Sequence, residues 1–334
     1  MPYLDKIRLS IIVSLFLFFP SLALAQSVDG ASAGKRIMSI TNNIEENKIL
    51  RAKYNYFIDG EIHVLSGVTL KIEDGVTVLV RNGKINGTLL NRSALIFDTG
   101  SKLEARKVYF KAASASKHEE KIADNAGVWF LGSYRNAEKD GVSVVVEPWS
   151  QPSHFSASTI VTSYLGHGDP DIANKSVSVK KDDSDVDDDV DGFSVLGVGN
   201  SEWDIKAVRS EFSGDDGFDV TNSRIDIEDL SIRNPTEDGM NISSSRVEIV
   251  KSLKIAMTNS IAPDRDLFDL EVDDGPSYIV LHRGCEVKVF GVFGDEVILK
   301  SSDLPQPNPC NWKFYEFDGV SKKAAAIIFS KTED

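Results

Sequence analysis

The chain has 334 residues, with 37 lysines and arginines against 51 aspartates and glutamates, and a formal net charge of −14 at pH 7. Such an acidic surface repels nucleic acids and anionic lipids, so the composition argues against nucleic acid as a partner, whereas neutral glycans meet no such repulsion. The length suits one elongated domain or two compact ones.

The first predicted element is a secretory signal peptide over residues 1–25. Lys6 and Arg8 precede an apolar run, and Ala23 and Ala25 form the A-x-A pattern of a cleavage site. The apolar run is about half the roughly 20 residues that a membrane-spanning helix needs. We therefore expect no membrane span and a secreted or periplasmic location.

Residues 26–57 are predicted to form an N-terminal segment that caps the fold. Ile37, Ile40 and Ile44 lie at helical spacing, which predicts an amphipathic capping helix within Lys35–Ala52. A cap is expected because an uncovered first strand would present an open sheet edge.

An internal repeat carries the fold prediction. Rows of 22 residues starting at Ser201 align without a gap, and a D-G-[FM]-x-[VI] motif recurs at Asp191, Asp216 and Asp238. Apolar and polar residues alternate within each row, which is typical of strands with one buried face. The pattern predicts an all-β chain whose residues 58–262 form a right-handed parallel β-helix, a solenoid of about 22–25-residue coils.

Residues 263–334 lack a clear match to the repeat and are predicted to be the last coils or a small C-terminal β element. Cys285 and Cys310 both lie there. Two thiols in an oxidising compartment predict one disulfide, and their spacing of 25 residues would suit neighbouring coils.

The N-terminal half shows a related pattern. "GEIHVLSGVTLKIEDGVTVLV" (60–80) and "ALIFDTGSKLEARKVYF" (94–110) alternate apolar and polar residues between glycine turns. Together with the repeat, these segments resemble the coils of secreted right-handed β-helix proteins of the pectate-lyase-like superfamily. The resemblance implies the fold and favours a carbohydrate ligand, and it identifies no particular enzyme family.

The Asp-Gly turns provide the candidate catalytic site. Stacking in register would place Asp191, Asp216 and Asp238 above one another, with Asp215 beside Asp216. In a glycoside hydrolase, Asp216 or Asp215 would be the general acid and Asp191 or Asp238 the base. The alternative is structural, since Asp-Gly is a preferred turn in which aspartate caps its own backbone and glycine takes a positive φ.

Two shorter motifs resemble those of known carbohydrate-active β-helix enzymes. "DVDG" followed by "GDDG" resembles the first two acidic elements of pectin-hydrolysing enzymes, but "GHG" (166–168) stands upstream of both and "SRID" lacks the lysine of an R-I-K strand. "YLGHGDPD" resembles a turn of alginate epimerases, with His167 on the opposite side of the D-P pair. The resemblance leaves open whether the chain is an enzyme, and a polar loop is the alternative for the second motif.

An aspartate-rich segment precedes the first Asp-Gly turn. Asp187, Asp189, Asp191 and Gly192 match the D-x-D-x-D-G start of a calcium loop, but Val198 occupies the twelfth position, where an EF-hand has glutamate. This segment predicts a calcium site, with a solvated acidic loop as the alternative.

Basic and aromatic residues are the remaining candidates for contacts with a ligand. Arg224 and Arg246 are equivalent in the repeat and are predicted to stack, either as an anion-facing strip or as outward charge. Trp129, Trp149 and Tyr164 are candidates to stack on sugar rings.

The leading functional expectation is an exported β-helix protein that binds a polysaccharide and is a candidate to cleave it. The alternative is a non-catalytic surface or periplasmic adhesin or scaffold stabilised by calcium.

Overall fold

The computed structural model describes residues 35–81, 93–113, 126–139, 141–166, 192–257, 266–291, 315–316 and 326–331. These residues form strands and turns and contain no helix. In chain order the strands are β1 Arg36–Ile40, β2 Lys48–Leu50, β3 Tyr54–Ile58, β4 Glu61–Val64, β5 Thr69–Ile72, β6 Val76–Val80, β7 Ser93–Phe97, β8 Lys102–Ala112, β9 Ala126–Leu131, β10 Ala137–Lys139, β11 Val142–Val144, β12 His154–Ser163, β13 Phe193–Leu196, β14 Trp203–Ile205, β15 Ala207–Glu211, β16 Asp219–Thr221, β17 Arg224–Arg233, β18 Met240–Ser243, β19 Arg246–Met257, β20 Phe268–Glu271, β21 Ser277–His282, β22 Glu286–Gly291, β23 Tyr315–Glu316 and β24 Ala326–Lys331.

Two long parallel sheets dominate the described structure. The larger sheet has 15 strands, with the main path β1-β3-β6-β8-β12-β15-β17-β19-β21-β24. The smaller sheet has seven strands, in the order β4-β7-β9-β13-β16-β18-β20. From β15 to β21 the chain alternates strictly between the two sheets and pairs each strand in parallel with the strand of the previous pass. This topology confirms the all-β prediction and is compatible with a parallel β-solenoid.

The strand register confirms the 22-residue repeat. Asp219 pairs with Asn241 in the smaller sheet, and Arg224 pairs with Arg246 in the larger one. Asn241 in turn pairs with Asp269, so the next pass is 28 residues long. The alignment that the sequence rows predict is therefore the real register from β15 to β17, from β16 to β18, and between β17 and β19 as far as Ile227. A bulge after Ile227 then shifts the pairing by one residue, so that Asp229 lies beside Ser252.

The hydrophobic core lies between the sheets and follows the alternation of the strands. In β17, Ile225 and Ile227 are fully buried whereas Asp226 between them is exposed. Aromatic rings stack along the same interior: Phe193 lies 5.5 Å from Phe218 between ring centroids. The apolar residue that follows each Asp-Gly pair therefore fills the core.

Repeated corners connect the two sheets. Asn222 and Ser244, which are 22 residues apart, both adopt left-handed backbone conformations with φ of 50°. The next residue in each row is a serine, and the Ser223 N–H donates to the Ser245 hydroxyl over 2.8 Å. These serines satisfy buried backbone donors where the chain turns between sheets.

The predicted N-terminal capping helix is wrong. Residues 36–40 form β1, which pairs in parallel with β3, so that Ile40 lies beside Ile58. Ile40 and Ile44 are buried, but Ile37 is 54% exposed, so the three isoleucines do not share one buried face. β-branched side chains favour extended backbone, and pairing with β3 supplies hydrogen bonds that a short helix would not gain.

The C-terminal part extends the same sheets. β20 joins the smaller sheet, β21 and β22 join the larger one, and β24 closes on β21 in antiparallel fashion. Cys285 is buried and is a free thiol, and burial raises its pKa to about 11. Cys310 lies outside the described residues, so the structure described has no disulfide and the pairing with Cys285 stays a prediction. Within the described ranges, no helix has the length and hydrophobicity needed to cross a bilayer.

Candidate functional site

The Asp-Gly turns form a hydrogen-bonded ladder along the stack of strands. Asp216 Oδ1 accepts the backbone N–H of Asp238 over 2.9 Å, and Asp238 Oδ1 accepts the N–H of Asp266. Each carboxylate therefore caps the backbone of the following pass. The structural role of Asp216 and Asp238 thus includes holding successive passes together.

The glycines of these turns are required by packing. Gly217 and Gly239 do not have a positive φ, contrary to the sequence expectation. A Cβ on Gly217 would lie 2.3 Å from Ile232 Cγ2 and 2.6 Å from the Gly239 carbonyl oxygen. Glycine lets the turn press against the core side of the larger sheet, which brings the preceding aspartates to one edge of the smaller sheet.

Three carboxyl groups gather at this edge. Asp215, Asp216 and Glu237 each offer an oxygen within 4.8 Å of the others, and both aspartates are buried. Asp215 and Glu237 occupy equivalent positions in successive rows of the repeat, so stacking alone brings them together. Unit charges at this separation repel by roughly 3–4 kcal/mol at an effective dielectric near 20. Three ionised carboxylates at this separation therefore need hydrogen bonds, opposite charge or a proton to offset their repulsion.

Asp238 completes the acidic edge. Burial raises the pKa of this carboxyl well above its usual range, and the nearby charges of Asp269, Asp266 and Glu237 raise it further. The hydrogen bond from the Asp266 N–H opposes the shift. Asp238 is thus a carboxyl suited to remain protonated and to act as an acid.

A hairpin forms the opposite wall. β10 and β11 pack through Ala137, Val142 and Val144 onto the outer face of the smaller sheet, where they cover Trp129 completely. At the end of β10, Lys139 Nζ lies 2.8 Å from Oδ1 of the fully buried Asp219. This ion pair anchors the hairpin to the sheet.

The space between this hairpin and the Asp-Gly turns is a cleft of about 390 Å³, called the acidic cleft below. Its walls are Glu138 and Lys139 on one side and the carboxyl groups of the turns on the other. Its floor consists of Thr221, Asn241, Ser243, Asp269, Glu271 and Asp273. All the lining side chains are polar: eight carry carboxyl groups and Lys139 alone carries a positive charge.

The floor follows the strand register. Asn241 pairs with Asp269 in one outward-facing row, and Thr221, Ser243 and Glu271 form the row beside it. Thr221 is 6% exposed, and its hydroxyl has no hydrogen-bond partner within the described structure. The Asn241 Oδ1 atom lacks a partner in the same described set. Both oxygen atoms are themselves buried, so they add to the polar character of the floor below its accessible surface.

The structure brings together part of the predicted site. Asp215, Asp216 and Asp238 line the acidic cleft. Asp191, the fourth catalytic candidate, lies outside the described residues, as do the calcium candidates Asp187 and Asp189.

The other sequence candidates are distant or covered. Arg224 and Arg246 stack as predicted, but on the larger sheet, where Arg246 binds Glu248. Trp129 is buried, so the prediction that it stacks on sugars is wrong, because the hairpin covers it.

The two remaining aromatic candidates differ in exposure. Trp149 is 78% exposed, and Tyr164 is half-buried and stacks on Phe212 with ring centroids 5.0 Å apart. His167 lies outside the described residues.

Sequence reasoning missed the floor of the cleft. Its outward row corresponds to position x of the D-G-[FM]-x-[VI] motif, which is Asp219 and then Asn241 in successive rows. Each copy of the motif has a polar residue at this outward position of an alternating strand, and this pattern could have predicted the floor of the cleft. Lys139 carried no such signal, because it reaches Asp219 from 80 residues away.

No known protein family, curated protein or solved structure matches the chain significantly. The resemblance to the pectate-lyase-like superfamily therefore stays a prediction.

Proposed function

We propose that this protein is an exported right-handed parallel β-helix that binds a polysaccharide along the acidic cleft. The observation that carries the proposal is a polar cleft whose floor repeats in register from strand to strand. A ligand lying across these strands meets equivalent groups at intervals of about 4.8 Å. That interval is close to the length of one sugar residue, so an extended glycan suits the cleft.

The lining supports a glycan over other ligand classes. Sites for drug-like small molecules are mostly apolar, whereas this cleft is lined by polar side chains alone. Carboxylates accept hydrogen bonds from sugar hydroxyls, and the Asn241 side-chain amide in the lining can add a donor. The excess of carboxylates disfavours polyuronates and nucleic acids.

If the protein is an enzyme, its proposed reaction is cleavage of the bound glycan. Asp238, with its raised pKa, is the general acid, and Asp216 or Asp215 supplies the ionised carboxylate. This exchanges the roles expected from the sequence alone, because burial raises the pKa of Asp238 well above its usual range.

The experiment is a screen of glycans for binding and turnover by the purified protein. Asp238→Asn keeps an oxygen for the Asp266 N–H and removes the acid, so we expect turnover to fall by about 10²-fold or more with little change in melting. Asp226→Asn, on the exposed face of the larger sheet, is the matched control and should retain full activity. Binding without turnover would refute cleavage and support glycan binding alone. No binding to any glycan would refute the proposal.

A second candidate is a non-catalytic adhesin or scaffold stabilised by calcium. Asp215, Asp216 and Glu237 favour it, since hard carboxylate oxygens within 4.8 Å of one another suit Ca²⁺. Saturating Ca²⁺ at about 100 times its Kd would stabilise the fold by about 2.7 kcal/mol. A melting temperature that neither Ca²⁺ nor a chelator changes would exclude this candidate.

A further inference from the structure

The outer face of the larger sheet carries a positively charged surface, although the chain as a whole is acidic. The strand register arranges its side chains in rows that cross the strands. From β8 to β22, two adjacent rows contain one acidic residue, Glu211, and five basic residues, which are Lys111, Arg209, Arg233, Lys254 and Lys288. These five residues are called the basic strip below. The acidic cleft has its floor on the smaller sheet, so the strip is a separate surface.

Three cations of the strip are accessible to a ligand. Arg209 and Arg233 are exposed, and Lys111 is half-buried. None of the three forms an ion pair with a carboxylate in the described part of the chain. The two lysines at the far end of the strip, in contrast, both pair with Glu286.

An aromatic column holds two of these cations without neutralising them. The Tyr164 and Phe212 rings stack with centroids 5.0 Å apart. Lys111 Nζ lies 5.8 Å from the centre of the Tyr164 ring, and the Arg233 guanidinium lies 5.0 Å from that of Phe212. The strand order β8-β12-β15-β17 puts the two cations at opposite ends of the column. A ring orients a cation through its quadrupole, and the cation keeps its charge for an anion.

The backbone that carries these rings is strained. Tyr164 and Phe212 have φ of 57° and 55°, and Asn234, which follows in the same ladder of backbone hydrogen bonds, has φ of 49°. Asparagine tolerates this left-handed conformation, whereas a bulky aromatic residue adopts it rarely. Residues held in such conformations cluster at functional sites. The strained aromatic pair therefore indicates a ligand site independently of the charges.

The surroundings of Glu211 favour sulfate over carboxylate as the anion. Burial raises the pKa of Glu211, although the charges of Arg233, Arg209 and Lys111 oppose this shift. A ligand carboxylate entering the strip would lose water in the same way, whereas a sulfate ester stays ionised wherever the protein is folded. Arginine is a weakly hydrated cation, and it suits the weakly hydrated sulfate ester better than the strongly hydrated carboxylate.

The shape of the strip favours a single glycan chain. Its rows cross strands that lie about 4.8 Å apart, close to the length of one sugar residue. Asp229 and Glu286 occupy the next row, so a wider polyanion would meet like charge there. Single-stranded nucleic acids stack their bases on open aromatic faces. Here each ring is covered by the other ring on one face and by a cation on the opposite face.

We propose that the basic strip binds a linear sulfated glycan, whose sulfate groups pair with Lys111, Arg209 and Arg233. The planar guanidinium groups donate paired hydrogen bonds to sulfate oxygens. This proposal goes beyond the proposed function, because it concerns another sheet and an anionic ligand. Its failure would leave glycan binding in the acidic cleft unaffected.

The test is calorimetric titration of the purified protein with four probes of equal length. These are a 6-O-sulfated β-1,4-glucan oligomer, its unsulfated parent, the corresponding 6-carboxylated oligomer and oligothymidylate. We expect the sulfated oligomer to bind most tightly, with an affinity that falls as salt increases.

Variants of the strip locate the binding. Arg209→Gln and Arg233→Gln should each weaken binding of the sulfated oligomer by about fivefold, since each removes one charge partner. Arg224→Gln is the matched control, because it removes an exposed arginine from the other end of β17 and should leave affinity unchanged. Phe212→Asn suits the left-handed backbone but releases Arg233, so it should also weaken binding. Thermal melting of each variant separates a loss of binding from a loss of folding.

Each contrary result overturns a stated part of the proposal. Equal binding of the unsulfated parent would overturn recognition of charge, and equal or tighter binding of the carboxylated oligomer would overturn the preference for sulfate. Equal or tighter binding of oligothymidylate would overturn the preference for a glycan. If the sulfated oligomer does not bind, or if Arg224→Gln weakens it as much as Arg209→Gln and Arg233→Gln do, the basic strip is not its site.

Discussion

Replacing Gly217 by alanine tests why Asp-Gly recurs in this chain. The added Cβ would lie 2.3 Å from Ile232 Cγ2 and 2.6 Å from the carbonyl oxygen of Gly239, although normal contacts begin near 3.4 Å. The carbonyl belongs to the next turn, and rotating its peptide would break the hydrogen bond from the Met240 N–H to the Leu267 carbonyl. The substitution therefore forces the turn off the larger sheet.

The magnitude follows from the two contacts. Overpacking a well-packed site costs typically 1–3 kcal/mol, and a clash with backbone as well as side chain places Gly217→Ala at about 2–3 kcal/mol. Gly239→Ala should cost less, because its nearest side-chain atom, Ile255 Cγ2, lies 3.2 Å away. For a chain of this size, about 2–3 kcal/mol corresponds to a fall in melting temperature of about 4–10 °C.

Thermal melting followed by circular dichroism measures the effect. Gly284→Ala is the control, since its Cβ would meet nothing within 4 Å and only its φ of +84° opposes alanine. That strain costs about 1 kcal/mol. If Gly217→Ala melts within 1 °C of the wild type, or above Gly284→Ala, close packing is not the reason for the repeated glycine.

Three further substitutions test other parts of the structure. Ser245→Ala leaves the buried Ser223 N–H without its acceptor and should lower the free energy of unfolding by about 1–3 kcal/mol in urea titration; no loss would show that the serine ladder is dispensable. Lys139→Met removes the 2.8 Å ion pair to the buried Asp219 carboxylate and should cost about 2–4 kcal/mol at pH 7 by the same assay, and full stability would contradict the anchoring role. His63, whose pKa is raised to about 10 chiefly by its hydrogen bond to a carboxylate, stabilises the fold fully below its unfolded pKa near 6.5 and loses this contribution as the pH rises through about 10. The stability difference between wild type and His63→Gln should therefore be about 1 kcal/mol at pH 6 and shrink above pH 10, and a constant difference would refute the assignment.

The repeat made much of the fold predictable. Alternation in rows of 22 residues specified the strands and most of their register, as the pairing of Arg224 with Arg246 shows, but not the bulge after Ile227 that shifts the rest of β17 by one residue. The N-terminal end failed because Ile37, Ile40 and Ile44 fit a helical period, while pairing with β3 decides their conformation. Periodicity over eight residues cannot reveal a partner strand that lies further along the chain.

The site was predictable only on the side that the repeat builds. Asp215, Asp216 and Asp238 follow from stacked Asp-Gly turns, and the structure places all three at the cleft. The opposite wall depends on Lys139 reaching Asp219 across 80 residues, a tertiary contact without a local signal. Burial of Asp238, which raises its pKa, likewise arises only when neighbouring passes pack against it.

The most direct test of the central claim is titration of the wild-type protein and the Asp269→Asn variant with glycan oligomers. Polysaccharide binding along the acidic cleft predicts saturable binding of at least one oligomer, about fivefold weaker in the variant, which removes a carboxylate of the floor. Binding that the variant retains in full would place the ligand elsewhere on the surface. An absence of binding by every oligomer would contradict the proposed function.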